Sequence, residues 1–133
     1  MTLKNDLSEI ERMSQLLAEF GERWHLPAKP LLDLNLAIEE AVANVITHGY
    51  EDYEEHQIGV TISLEDKDIT VKVEDDGRPF NPLEFPEPDL TRPLEEKALG
   101  GLGIHLVRNL TDGLDYKRQQ AKNLLVMKKT MRG

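Results

Sequence analysis

The sequence predicts an α+β domain, and three observations carry that prediction. Two N-terminal stretches place their apolar residues at helical spacing, from Ile10 to Trp24 and from Leu34 to Val45. Ile58 to Val73 alternates apolar and polar residues about a polar centre, as an antiparallel hairpin does, and Leu114 to Lys129 reads as a second hairpin. A glycine-led helical pattern separates the hairpins. The 133 residues fit one domain, 1–133, better than two.

Taken in order, Ser8-Glu9-Ile10-Glu11 has the form of a capping box, with the hydroxyl accepting an early helical amide and Glu11 reaching back. Ile10, Met13, Leu16, Leu17, Phe20 and Trp24 then mark one helix face, and Pro27 and Pro30 are expected to end that helix. Asp33 is the expected cap of a second helix that runs to about His48 and stops at Gly49. Its apolar stripe is Leu34, Ile38, Ala41, Val42 and Val45. Ile58, Val60, Ile62 and Leu64 form one strand and Ile69, Val71 and Val73 the next, with Asp66, Lys67 and Asp68 between them. Leu114 to Arg118 and Leu124 to Lys129 form the second hairpin, turning near Ala121 to Asn123. Between the hairpins, Arg78 to Leu99 holds five of the seven prolines, and a loop of that length in a small domain is functional or disordered. Gly100-Gly101-Leu102-Gly103 then leads into a short helix through Leu106, Val107 and Leu110.

Composition excludes several classes. No cysteine is present, so neither a disulfide framework nor a thiolate metal site is available. No apolar run approaches the roughly 18 residues of a membrane span, and Met1 to Glu11 does not read as a secretory signal. A cytoplasmic, soluble protein with no membrane contact is expected. The net charge of −9 opposes phosphate backbones and argues against direct nucleic-acid binding. It suits a partner with a basic surface, and it equally suits plain solubility.

Three groups of residues can carry chemistry. Glu40, Asn44 and His48 recur every four residues and so share one side of the second helix, offset from the apolar stripe. A carboxylate one turn from an amide oxygen can set a base beside a metal ligand, and magnesium prefers such oxygen donors. The same spacing serves a solvated polar face, and spacing alone does not choose. Asp75 continues the inward phase of Ile69, Val71 and Val73, and an unpartnered charge there would be expensive. Asp76-Gly77 follows, where glycine permits close approach of a ligand; the other reading is a turn that leaves Asp75 in water. Gly100, Gly101 and Gly103 open a helix, whose free amides form an anion site, or else a hinge. The proline-rich loop would then be a lid at about 78–99 with Arg78, Arg92 and Lys97 as its cations.

The order of these signals resembles the histidine-kinase-like ATPase (GHKL) family, specifically its anti-sigma-factor serine/threonine kinase branch. Glu39-Glu40-Ala41-Val42-Ala43-Asn44-Val45-Ile46-Thr47-His48-Gly49-Tyr50 resembles the N-box of that branch. Val73 to Pro82 resembles its first glycine box and Gly100 to Ile104 its second, so the resemblance covers Ser8 to Thr130. It implies a two-layer α/β sandwich, with a mixed, mostly antiparallel sheet covered by helices on one face. It implies ATP and Mg²⁺ as ligands, with Asn44 on the metal, Glu40 as general base and Asp75 accepting from the adenine amino group. Gly77 would let the base approach and Gly101 and Gly103 would frame the phosphates; apart from the resemblance, Lys97 or Arg92 of the lid is expected to meet a phosphate. Lys122-Asn123 stands where many relatives carry Gly-Thr or Gly-Asn.

The resemblance further implies a bacterial regulatory kinase. Its substrate would be an anti-anti-sigma (STAS-type) protein, phosphorylated on serine or threonine, and a sigma factor would be its second partner. A homodimer is among the assemblies implied. Two other readings stand beside it. One is a nucleotide-gated module that sequesters a partner without significant phosphotransfer, and the other is the ATPase domain of a sensor system. A base at Glu40 favours the kinase, and the lack of a phosphoacceptor-like histidine upstream disfavours the sensor.

Overall fold

A computed structural model describes residues 1–50, 52, 54–79 and 101–131, with the backbone alone at 101–105. The elements are β1 (Thr2–Lys4), α1 (Glu9–Arg23), α2 (Ala28–His48), β2 (Gln57–Glu65), β3 (Asp68–Asp75), α3 (Gly101–Leu110), β4 (Gly113–Gln119) and β5 (Lys122–Thr130). The strands form one sheet in the order β1-β2-β3-β5-β4. Each of its four pairings is antiparallel. The sheet is thus antiparallel throughout the described residues, without the parallel pair that a mixed sheet would have.

One face of the sheet is dry. Ile58, Val60, Ile69, Val71, Val73 and Met127 are buried against Met13 and Leu17 of α1, Leu34, Ile38 and Val42 of α2, and Val107 of α3. Thr61, Ser63, Lys72, Glu74, Lys117 and Gln119 on the other face are exposed. This is the two-layer arrangement expected when period-2 strands bury one side and amphipathic helices cover it. Truncating Ile38, which is 0% exposed, to alanine would cost about 2–5 kcal/mol by the usual core scale.

The hairpin turns use local chemistry. β2 and β3 turn with Asp66 at φ 57°, and β4 and β5 turn at Gln120 and Ala121, at φ 53° and 63°. In the β4–β5 turn, positive φ at both central residues matches the twist of a two-residue hairpin.

Four details differ from the sequence reading. The capping box does not form: Ser8 makes no side-chain cap bond, and its amide instead donates to Asp6 Oδ1 at 3.0 Å. The second helix begins at Ala28 rather than after Asp33. Pro30 therefore sits in its first turn, where a missing N–H removes no helical bond. Asp33 lies inside the helix and pairs with Lys29 at 2.9 Å. Finally β1 is a strand of three residues whose one buried side chain, Leu3, is too short a signal for any periodicity.

Candidate functional site

The end of β3 and the C-terminal half of α2 meet in a cleft lined by Ala41, Asn44, Val45, Gly49, Val73 and Asp75, and closed by Arg78, Tyr116, Asn123 and Leu125. Its walls are mostly apolar, and its polar groups are few and placed.

Asp75 occupies the inward phase of β3, as its spacing predicts, and is 5% exposed. Its Oδ1 accepts from the Gly77 amide at 2.9 Å and from Asn123 Nδ2 at 2.9 Å. Its Oδ2 accepts no hydrogen bond among the described residues. Burial pushes the Asp75 carboxyl above its ordinary value, and the neighbouring Asp76 adds to this. The Asn123 and Gly77 bonds and the Arg118 charge act the other way.

Asn123 is a site residue that the sequence reading left unassigned. It is 5% exposed and lies directly opposite Asp75 in the ladder of β3 and β5. The signal was present: Asn123, Leu125 and Met127 share one strand phase, and Met127 is fully buried. A polar side chain in register with a core face invites the same question as Asp75.

On α2, Asn44 is 8% exposed, and its Nδ2 is buried without a hydrogen-bond partner among the described residues. Such an orphan costs on the order of 1–3 kcal/mol unless something completes it. Glu40, one turn earlier, is half-buried and has no hydrogen bond or ion pair among the described residues. It does not line the cleft among the described residues. Glu39 faces the other way: its Oε1 accepts from Ser14 Oγ at 2.8 Å and Asn35 Nδ2 at 3.1 Å, which ties α2 to α1. The carbonyl of His48 accepts from Arg78 Nε at 2.6 Å. Arg78 is therefore held at the C-terminal end of α2, where a cation suits the helix dipole.

Gly77 is required by close approach. A Cβ there would stand 2.7 Å from the Gly49 carbonyl oxygen and 3.0 Å from Asp75 Oδ1. The Arg78 amide donates to that same Gly49 carbonyl at 2.9 Å, so the loop after β3 is fastened to the end of α2. Gly101 and Gly103 lie in the first turn of α3, whose amides have no partner within the helix, and α3 packs on α2. Lys97, Arg92 and Gly100 lie outside the described residues, as does nearly all of the expected lid.

Beside the cleft, Tyr50 stacks on His56 with ring centroids 4.1 Å apart, and its hydroxyl donates to Asp76 Oδ1 at 3.1 Å. His56 Nε2 lies 2.8 Å from Asp52 Oδ2, and its Nδ1 lies 3.3 Å from Asp76 Oδ1. The Asp52 contact, followed by that of Asp76, holds His56 above its ordinary value.

Comparison with known proteins agrees with this geometry. Residues 3–129 match the histidine kinase-like ATPase domain family. The chain is 31% identical over 124 residues to the anti-sigma F factor of Clostridium novyi, covering 87% of this chain and 82% of that protein. It is 26% identical over 106 residues to the serine/threonine-protein kinase BtrW of Bordetella bronchiseptica, covering 80% and 73%. Among solved structures, the RsbU and RsbW domains of a Mycobacterium tuberculosis protein superpose with a TM-score of 0.66 at 14% identity, over 100% of this chain and 33% of that one. A blue-light activated histidine kinase of Erythrobacter litoralis superposes at 0.58 with 19% identity, over 80% and 32%. The chain thus spans about a third of each of those two solved chains, and the likeness is one of fold. No helix among the described residues is long and apolar enough to cross a membrane. Because the family match spans residues 3–129 and a relative is 31% identical over most of both chains, the chain belongs to the histidine kinase-like ATPase family.

Proposed function

We propose that the protein is an ATP- and Mg²⁺-dependent serine/threonine kinase of one domain that acts as an anti-sigma regulatory factor and phosphorylates an anti-anti-sigma (STAS-type) partner. The observation that carries this reading is the pairing of two buried, incompletely satisfied polar side chains, Asn44 and Asp75, in one otherwise apolar cleft. A flat base with an amino edge suits the apolar walls and the acceptor at Asp75 Oδ2. A metal ion would be held through the Asn44 amide oxygen, and Nδ2, which no described residue accepts from, is a donor left for an oxygen of the ligand. The fit is chemical, and it matches the family's name.

In this reading Asn44 would hold the metal, Asp75 would orient the base, and Gly101 and Gly103 would present amides to phosphates. Mg·ATP supplies the phosphoryl group that is transferred. Glu40 is the residue with freedom to act on the partner: it is half-buried and has no partner among the described residues, so it can accept the proton of an incoming hydroxyl. Names of the relatives support the regulatory role, since one is an anti-sigma F factor and another a serine/threonine-protein kinase. Incubation with labelled ATP, Mg²⁺ and the STAS-type protein encoded by a neighbouring gene tests the proposal. Label on a serine or threonine of that protein is the expected result.

One observation favours the second reading, a nucleotide-gated binding module. Glu40 does not line the cleft among the described residues. Sequestration of the partner with nucleotide bound, and no label transferred, would establish that reading in place of the kinase.

A further inference from the structure

Away from the cleft, the two long helices leave a groove between them on their outer side. Ser14, Leu17 and Ala18 of α1 line one wall, and Ala28, Leu31 and Leu32 of α2 line the other. The residues explain its shape. Leu31 fills the space beside Gly21, where a Cβ would collide with it, so the helices are held close there. At Ser14 and Ala18 the side chains of α1 are too small to fill the gap. Glu39 ties the far end, accepting from Ser14 Oγ at 2.8 Å and from Asn35 Nδ2 at 3.1 Å.

The groove runs on into an exposed apolar strip. Among the described residues, Leu32 is 56% exposed and Leu36 is 38% exposed. Leu32, Leu36, Glu40 and Asn44 follow one another at intervals of four residues along α2. Four residues overshoot one helical turn by about 40°, so this row winds slowly around the helix. It leads from the groove, across the two leucines, to Glu40 and then to the cleft at Asn44. Leucines left in water beside an apolar trough mark a surface that another protein covers.

The rim of the groove is acidic. Glu11, Ala18 and Glu22 share a side of α1 with Ser14 by helical spacing, and both glutamates are exposed. On α2, Glu39 and Glu40 are half-buried beside the strip. Lys29, in the same row as Leu32 and Leu36, is neutralised by Asp33 at 2.9 Å. An apolar trough with this rim is complementary to a helix that carries an apolar stripe and Lys or Arg on its flanks. A second copy of the chain, with its net charge of −9, would set the same acids against each other. An anionic membrane would be repelled in the same way.

Resting on the kinase reading above, we infer that the α1–α2 groove, with Leu32 and Leu36, is the surface on which the protein substrate docks an amphipathic helix with basic flanks. Docking at Leu36 holds the partner one helical turn from Glu40, so its hydroxyl is presented to the base from a bound state rather than by collision. The surface touches no nucleotide. It therefore governs capture of the substrate and not the chemical step.

Two measurements on the full chain test this. The first is titration with an amphipathic helical peptide that carries leucine at helical spacing and lysine flanks, and with its glutamate-flanked counterpart. The lysine peptide is expected to bind at least about 10-fold more tightly, with an affinity that falls as salt is raised. Leu32→Ser and Leu36→Ser together should weaken it by roughly 10–100-fold, the scale of two partly buried leucines, with ADP affinity unchanged. Glu11→Lys with Glu22→Lys should narrow the preference for lysine flanks. Leu16→Ser is the control, since Leu16 is exposed about 200° around α1 from Ser14 and should not matter. The second measurement is transfer to the STAS-type protein, where Leu36→Ser is expected to raise KM roughly 10-fold with kcat unchanged. A lysine peptide that does not bind, or whose affinity ignores the leucine variants, overturns the docking surface. Loss of self-association in those variants also overturns it, because a second copy would then fill the groove. Transfer by wild type with an unmoved KM in Leu36→Ser overturns it and leaves the kinase standing. A wild type that transfers no phosphate overturns the kinase reading, and the peptide titration alone then decides the groove.

Discussion

Replacing Asp75 by asparagine separates the ligand role of that residue from its place in the fold. In the wild type, Oδ1 accepts from Gly77 and Asn123, and Oδ2 accepts from none of the described residues. An asparagine can present its own oxygen to the same two donors, so the internal contacts survive. Its NH₂ then faces the cleft where the acceptor was. A donor meeting the amino group of the base forms no bond, and on the proposed reading the lost bond is to a charged acceptor, worth about 1.5–3 kcal/mol. At 1.4 kcal/mol per decade this is a fall in ADP affinity of roughly 10–150-fold. Stability should move the other way. The Asp75 carboxyl is raised above 3.8 by burial, so its ionisation opposes folding, and that penalty sets in as pH rises through its folded value. Asp75→Asn should therefore match or exceed wild-type stability at pH 7, with an advantage that shrinks toward pH 4. Calorimetric titration with ADP and thermal denaturation at both pH values measure the two effects. An affinity within threefold of wild type would refute the ligand role. A lost affinity accompanied by a large loss of stability would show that Asp75 serves the fold instead.

Gly77→Ala places a Cβ 2.7 Å from the Gly49 carbonyl, which is backbone and cannot swing aside; a loss of about 1–3 kcal/mol in chemical denaturation, together with loss of nucleotide binding, is expected. Glu40→Gln should keep near-normal ATP affinity while transfer to the partner falls roughly 10²-fold or more, and transfer at the wild-type rate would place the base elsewhere. Asn44→Ala should abolish the magnesium dependence of nucleotide binding while changing stability little, since the amide it removes has an unsatisfied Nδ2; binding that stays magnesium-dependent counts against Asn44 as the ligand. His56 is raised above 6.5 by Asp52 and Asp76, so its contribution to stability is complete below pH 6.5 and fades as pH rises through its folded value. Wild type should lose stability between pH 6 and pH 8.5 that His56→Gln does not lose, and parallel curves would remove His56 as the titrating group.

How much of this was legible in the residues depends on the range of the interaction. Helix and strand periodicity are local, so the α2 stripe, most of the α1 stripe, both hairpins and the inward phase of Asp75 could be read directly; Leu16 and Trp24, read onto the α1 face, are exposed instead. The order Glu40, Asn44, Asp75, Gly77, Gly101, Gly103 was likewise a property of the chain, and it carried the family. Helix starts were less legible. A proline at the third helical position looks like a stop until the four free amides of a first turn are counted, which is why α2 begins at Ala28 and not after Asp33.

Register and partnership were decided only in three dimensions. That Asp75 lies opposite Asn123, and Asn123 opposite Arg118, follows from how two hairpins far apart in sequence pair through β3 and β5. The β-strand period of two told which face each residue takes, but one residue's slip in that ladder would have sent Asn123 to solvent and left Asp75 without its donor. The collision that demands glycine at position 77 is likewise tertiary, since it comes from the carbonyl of Gly49 at the end of a different element. The sequence by itself determined which side chains turn inward and which chemistry they bring. The tertiary structure alone decided which of them meet, because pairing between distant strands is chosen by the packing of the whole core and not by any local preference.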